Sequence, residues 1–258
     1  MTTKALITGA SSGIGEVYAD RLARRGQDLV LVARSTAKLE ALAARLRVET
    51  GVSVEILPAD LGKAEDLARV EARLRSDEAI DTLINNAGIA GEGPFADADP
   101  AFLTGLINLN IVAVTRLAAA IAPRLAANGA GTIINLTSVT ALMPDGFTVV
   151  YPASKAFVLA FTEALQVELG AKGVRVQAVL PGITRTAIWE EEQLSGIPDE
   201  MVMEVDEMVD AALAGLDQGE RITIPSLPDT ADFDTYLAAR MALRPNLSHR
   251  HAADRYRR

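Results

Sequence analysis

Tyr151 and Lys155 stand four residues apart in Tyr151-Pro152-Ala153-Ser154-Lys155, a spacing that puts a phenol and an ammonium on one face of a helix. Proline is tolerated only in the first turn of a helix, so Pro152 places the pair near a helix start. Ser138 lies thirteen residues earlier, just past the apolar run Thr132–Leu136. The pair by itself is only suggestive, but any catalytic proton transfer in the body of the chain must use a carboxylate, Lys, Tyr or a water chain. The alternatives are few. The chain of 258 residues has no cysteine, and both histidines, His249 and His251, lie in its last ten residues. A disulfide, a Cys nucleophile, a His-based zinc site and a Ser-His-Asp triad are therefore excluded from the body of the chain, and no metal site is expected.

The second constellation is a glycine loop, Thr8-Gly9-Ala10-Ser11-Ser12-Gly13-Ile14-Gly15, which follows a short apolar run and precedes a helix expected from about Glu16. Glycines there allow a tight turn and let a pyrophosphate approach the backbone, and the helix end adds free N–H groups and a positive dipole. The spacing is GxxxGxG, and no Lys-Ser/Thr pair follows, so the loop is not a P-loop. In dinucleotide folds an acidic residue about 20 positions further on binds the ribose 2′-hydroxyl. Here the second strand ends Leu31-Val32-Ala33-Arg34-Ser35, with a guanidinium and no carboxylate. That arrangement suits a 2′-phosphate. NADP (NADPH) is expected, in preference to NAD.

The elements that must carry these groups alternate along the whole chain. Strands are predicted at Ala5–Thr8, Leu29–Ala33, Val52–Leu57, Thr82–Asn85, Thr132–Leu136, Arg175–Leu180 and Arg221–Pro225, mostly as unbroken apolar runs. Such runs belong to parallel strands buried on both faces. Between them the apolar residues recur with helical period, as in Leu39, Leu42, Ala43 and Leu46. Asp99 before Pro100 is a helix start, with Asp as cap and Pro in the first position. The expected fold is α/β: one Rossmann-type doubly wound parallel sheet of about seven strands flanked by helices, in a single domain over 1–258. The carboxyl ends of its strands would bring Ser138 and the glycine loop to one rim.

Charge marks two unusual segments. Nine of the 34 acidic residues fall between 189 and 210, with no basic residue among them, and they account for the whole net charge of −9. From Arg240 the balance reverses, with six arginines and one acidic residue. Each run reads first as a solvated face. A net charge of this sign argues against nucleic acid. The longest apolar stretches, such as Leu117 to Pro123, fall short of a membrane span, and the N-terminus carries no signal peptide, so a cytoplasmic protein without a membrane partner is expected.

Taken together, the TGxxxGxG loop and the YxxxK pair resemble the short-chain dehydrogenase/reductase family. Asp60-Leu61, Asn85-Asn86-Ala87-Gly88, Asn110, Pro181-Gly182 and Thr186 follow in that family's order, so the likeness runs from residue 4 to about 225. The resemblance implies an oxidoreductase that interconverts a secondary alcohol and a ketone or aldehyde. Its catalytic residues would be Asn110, Ser138, Tyr151 and Lys155. Tyr151 would be the acid or base, Lys155 would lower its pKa and hold the nicotinamide ribose, and Asn110 would hold a water linking Lys155 to solvent. Cofactor contacts would come from Gly9, Ser11, Ser12, Gly13, Ile14, Gly15, Arg34, Asp60, Leu61, Asn86, Ala87, Gly88, Tyr151, Lys155, Pro181, Gly182, Thr184 and Thr186. Asp60 would meet the adenine, Asn86 the adenosine ribose, and Thr186 the carboxamide. Residues 184–210 would form a substrate lid whose Ile188, Trp189, Leu194, Ile197, Met201 and Met203 line an apolar pocket. The substrate is accordingly expected to be a small-molecule carbonyl or alcohol that is medium-sized, apolar and uncharged.

Two departures and one rival complete the reading. Family members often end their last strand in Asp-Gly-Gly, at a tetramer contact; here Pro225 leads into Ser226-Leu227-Pro228-Asp229 and an Arg-rich tail over 240–258, so a homodimer is expected as readily as a homotetramer. Ser35-Thr36-Ala37-Lys38 matches the SxxK of β-lactamase-like hydrolases, but Ser at a strand-to-helix junction is an ordinary cap, and no KTG occurs. The alternative from another class is a non-catalytic NADP-binding regulatory protein of the same fold. Retention of the full set Asn110, Ser138, Tyr151 and Lys155 favours the enzyme.

Overall fold

Alternate residues of the first two strands bury on opposite faces of one sheet. In β1 (Lys4–Thr8) Ala5 and Ile7 join the core on one side while Leu6 joins the core on the other. In β2 (Asp28–Ala33) Leu29, Leu31 and Ala33 divide from Val30 and Val32 in the same way. This is the period of two that unbroken apolar runs require when helices cover both faces. The computed structural model describes residues 3–91, 93–144, 148–186 and 196–257.

The remaining strands are β3 (Val54–Pro58), β4 (Ile80–Asn85), β5 (Thr132–Leu136), β6 (Arg175–Val179), and the short β7 (Thr184–Arg185), β8 (Met203–Glu204) and β9 (Ile222–Thr223). Seven of them form a parallel sheet in the order β3-β2-β1-β4-β5-β6-β9. The order reverses between β1 and β4, and a crevice opens there at the strands' carboxyl ends, the usual ligand position in such sheets. The seventh strand is shorter than its run Arg221–Pro225 suggests, because only Ala178↔Ile222 and Val179↔Thr223 pair at that edge. All seven strands have both ends within two residues of their predicted positions.

Helices α1 (Gly13–Arg24) and α2 (Thr36–Thr50) cover one face, with the helix Val205–Gln218 beside them. Helices α3 (Ala64–Ser76) and α5 (Val114–Asn128) cover the other. Helix α4 (Pro100–Ile107) precedes α5, and Asp99 caps it as expected, its carboxylate accepting from the N–H of Ala101 at 2.9 Å. Helix α6 (Val150–Gly170) follows β5. A π-helical turn, Asn108–Ala113, fuses α4 and α5 into one helical stretch, Pro100–Asn128. By length and composition that stretch could cross a membrane, which corrects the reading based on the run Leu117 to Pro123 alone. Its Leu117, Ile121 and Leu125 are buried under the sheet, as in the core helix of a soluble domain.

The chain falls into two compact units where the sequence reading treats 1–258 as one domain: Met1–Pro225 and Ser226–Arg258. The first holds the sheet. The second contains the helix Thr230–Ala242, capped by Asp229, and a Phe233–Tyr236 ring stack at 5.6 Å. None of its described residues is buried.

The acidic segment is more than a solvated face. Asp206 and Asp210 each reach Arg21 at 2.7 Å, and Glu204 reaches Arg185 at 2.8 Å. Residues 205–210 of the expected lid are the first turns of the helix Val205–Gln218, whose Met208 and Val209 lie in the core. Met203 packs against that core as well. Ile188, Trp189 and Leu194, with Glu190, Glu191 and Glu192, lie outside the described residues.

Candidate active site

The glycine loop is built around one amide. Asn86, just past β4, donates through Nδ2 to the carbonyls of Thr8 at 2.9 Å and Gly9 at 3.3 Å. A Cβ at Gly9 would lie 2.7 Å from that nitrogen and one at Gly15 2.6 Å, so side chains at either position would drive the loop off it. Gly9 also holds φ +67° and Gly13 φ +56°, the left-handed region that glycine enters freely. The Thr8 hydroxyl accepts from the N–H groups of Asn86 and Ala87 at 2.9 and 3.0 Å. Asn86 thus joins β1 to β4 at the crevice. Helix α1 begins at Gly13, three residues earlier than expected, so Gly13, Ile14 and Gly15 form its first turn, where backbone N–H groups have no partner within the helix.

A cavity of about 550 Å³ runs from this loop to the end of β2. Gly9, Ser11, Ser12, Gly13, Ile14, Arg34, Asp60, Leu61, Asn86, Ala87, Gly88 and Thr186 line it, which brings together most of the cofactor contacts expected from sequence. Gly15 stays behind the loop as a spacer. Asp60 also serves as a turn residue, accepting from the N–H of Gly62 at 3.1 Å.

Lys38 lines the same cavity beside Arg34, and the sequence reading did not assign it a role. The signal was there in Ser35-Thr36-Ala37-Lys38, set aside with the hydrolase motif. Ser35 does occupy the cap position of α2, although its side chain makes no capping bond. Arg34 and Lys38 are both exposed, and among the described residues neither forms a hydrogen bond or ion pair. By contrast Arg21, Arg24, Arg25 and Arg45 are all paired with carboxylates. Two unpaired cations at the amino end of α2 make an anion site at the cavity's far end.

The crevice continues into a second cavity of about 170 Å³, which shares Ile14, Asn86, Gly88, Ala90 and Thr186 with the first. Ser138, Tyr151 and Lys155 converge there with Pro181, Gly182 and Thr184. Ser138 directly follows β5 and Leu136–Thr137, and its Oγ accepts from the N–H of Thr140 at 3.1 Å. The Tyr151 phenol lies near enough to this hydroxyl for it to oppose the rise in the phenol's pKa. The N–H of Val139 donates to the carbonyl of Pro181 at 3.0 Å, which ties the Ser138 turn to the loop after β6.

Lys155 is held twice by β5's end. Its Nζ donates to the carbonyl of Leu136 at 2.9 Å, and its own backbone carbonyl accepts from the Thr137 hydroxyl at 2.7 Å. Beneath them a buried chain runs from Asn85 Nδ2 to Asn135 Oδ1, and from Asn135 Nδ2 to Thr162 Oγ1, each at 2.9 Å. It ties α6 to β4 and β5. Asn110 sits in the π turn, a distortion common at functional sites. Its side chain binds both backbone groups of Ile89, at 3.0 and 2.9 Å, and donates to Ser154 Oγ at 3.1 Å. The Asn110 side chain is a clamp that holds the Gly88–Ile89 loop against α6.

Burial decides the electrostatics. It lowers Lys155 to about 8, because the charged form is cut off from water. It raises the Tyr151 phenol, with the Ser138 hydroxyl opposing. The expectation that Lys155 lowers Tyr151 is not met in this arrangement: Nζ lies 5.6 Å from the ring centroid and points to Leu136. Tyr151 is thereby kept protonated at neutral pH, the form that donates. A lysine is charged below its pKa and neutral above it, so the kcat/KM of a carbonyl reduction should hold up to about pH 8 and fall beyond it as Lys155 loses its proton. A profile from pH 6 to 10 tests this, and a falling limb near 10 would assign it to another group.

The comparisons with known proteins follow this geometry. The family model described as short chain dehydrogenase matches residues 3–195. A solved short-chain dehydrogenase from Sphingobium yanoikuyae, in complex with NADPH, is 52% identical with a TM-score of 0.93, covering 98% of this chain and 100% of that one. The bulky-bulky ketone specific alcohol dehydrogenase from Comamonas testosteroni is 46% identical with a TM-score of 0.92, covering 99% of each chain. The very-long-chain 3-oxoacyl-CoA reductase of Anas platyrhynchos is 37% identical over 69% of this chain. The chain spans 58% to 60% of the length of the first curated relatives it matches. With the glycine loop, the YxxxK pair and the sheet order in agreement with a matching model over three quarters of its length, the chain belongs to the short chain dehydrogenase family.

Proposed function

We propose that this protein is an NADPH-dependent oxidoreductase that interconverts a secondary alcohol and a ketone or aldehyde. One observation carries the reading: Ser138, Tyr151 and Lys155 meet in a cavity continuous with another whose far end holds the two unpaired cations Arg34 and Lys38. The residues fit the dinucleotide. The glycine loop and α1's first turn would take the pyrophosphate, Arg34 and Lys38 the 2′-phosphate, and Lys155 the nicotinamide ribose. NADPH, when bound, supplies a hydride to the carbonyl carbon.

The chain's own groups manage the oxygen. Ser138 hydrogen-bonds it and the Tyr151 phenol delivers the proton, while Lys155 holds the nicotinamide ribose. In the reverse direction the phenolate takes the proton from the alcohol. A non-catalytic regulator needs none of this, and the intact set speaks against it.

Lys155 is the only charged side chain among the described residues of the smaller cavity, and it is turned to Leu136. The other lining groups include Ala90, Gly91, Val139 and Ile183. This supports an apolar, uncharged substrate, in keeping with the ketone specificity named for the Comamonas relative. A panel of ketones in matched pairs, with and without a carboxylate, followed by NADPH absorbance at low and high salt, tests the reading. The neutral member should be preferred by about tenfold or more, since a buried carboxylate would go unpaired. Preference for the anionic member would overturn the substrate class, and no NADPH oxidation with any carbonyl would overturn the activity. The apolar residues Ile107 and Phe157, exposed on α4 and α6, suit a homodimer contact.

A further inference from the structure

Gly91 follows β4 by six residues and lines the smaller cavity together with Ser138 and Tyr151. Its backbone does not call for glycine, since its φ lies outside the positive range where other glycines of this chain sit. Gly93, two residues on, is the opposite case: φ +75°, with nothing within 4 Å of an added Cβ. At Gly91 space is what a side chain would take. Its Cβ would lie 3.2 Å from Cε1 of Phe102 on α4 and 3.3 Å from Oγ1 of Thr148, three residues before Tyr151. Phe102 is 41% exposed and has room to yield, whereas Thr148 is itself part of the cavity wall.

We infer that Gly91 sets the size of the carbonyl substituent that the site accepts, because without a side chain it lets Thr148 of the cavity wall lie close against it, and any added side chain has to push Thr148 or Phe102 aside. The inference rests on the carbonyl-reducing activity proposed above and names its specificity determinant. Any side chain at position 91 meets those two neighbours at its Cβ, and a branched one presses further on the wall that Gly91 and Thr148 share. A large substituent on the carbonyl then meets it, while a methyl does not. The backbone conformation itself admits a side chain, and the neighbours Phe102 and Thr148 have to give by a few tenths of an ångström.

The test uses benzophenone and acetophenone, which differ only in one phenyl against one methyl, with the full-length chain and NADPH. In Gly91→Val the ratio of kcat/KM for benzophenone over acetophenone should fall about tenfold or more, the scale on which a pocket discriminates a group it can no longer hold. Gly91→Ala should shift the ratio the same way by a smaller factor, and it serves as the second variant should valine lower Tm. An unchanged or raised ratio in both variants overturns the inference and leaves carbonyl reduction standing. A wild-type chain that reduces neither ketone, nor any other carbonyl, overturns both.

Discussion

Tyr151→Phe binds NADPH as the unchanged chain does and reduces ketones at least about a hundredfold more slowly, the range in which a positioned acid contributes. The substitution removes one oxygen and keeps the ring. The ring's place is secured without it, because α6 is tied to β5 through Thr137, Leu136 and the Asn85–Asn135–Thr162 chain. Lys155 keeps its bond to Leu136 and its ability to meet a ribose. The loss therefore falls on kcat, with the dissociation constant for NADPH unchanged when read by fluorescence titration. Ser138→Ala in the same series removes the other contact to the reacting oxygen and lowers kcat by a similar order, since a donor aimed at developing charge is lost. If Tyr151→Phe retains more than a tenth of the activity, the proton comes from another group and the assignment fails.

Arg34→Ala separates the two cofactors. A charge-assisted bond to a phosphate contributes about 1.5–3 kcal/mol, so NADPH affinity should fall on the order of tenfold to a hundredfold. NADH has no 2′-phosphate and should lose less than about twofold. Lys38→Ala should act in the same direction, and the double variant should cost more than either alone, because both cations line the same end of the cavity. Both side chains are exposed, so the NADPH advantage should also shrink as salt rises and screens them. Equal losses for NADPH and NADH would mean that Arg34 supports the loop and does not read the phosphate.

Much of this was legible in the residue order, for reasons of local chemistry. Parallel strands with both faces buried must be written as unbroken apolar runs, and all seven were placed with both ends within two residues. β9 lost the largest share of its run, five residues to two, since where an edge strand stops depends on its neighbour β6. Spacing along a helix is equally local. Tyr151 and Lys155 share a face because they are four apart, and Pro152 puts them at its start. The glycine loop and Arg34 could be read for the same reason: a strand, a turn and a helix end are neighbours in sequence.

What needed the tertiary structure was every role that depends on a distant partner. Asn110 proved to be a clamp on Ile89 and Ser154, residues 21 and 44 positions away, through a π turn that no periodicity announces. Asn86 explains Gly9 and Gly15 only once β4 lies beside β1. Lys38 acquired meaning when it was found unpaired at one end of a cavity, and Gly91 when Phe102 and Thr148 were found against it. The phenol's pKa turned the same way. The resemblance implied a value lowered by Lys155, while burial raises it, and burial is a sum over the whole fold. Sequence alone determined which chemical groups this protein has and which local elements present them, because those depend on neighbours along the chain. Folding decided which groups are dry, which are paired and which are left to meet a ligand, because desolvation and pairing depend on residues the chain brings together from far apart.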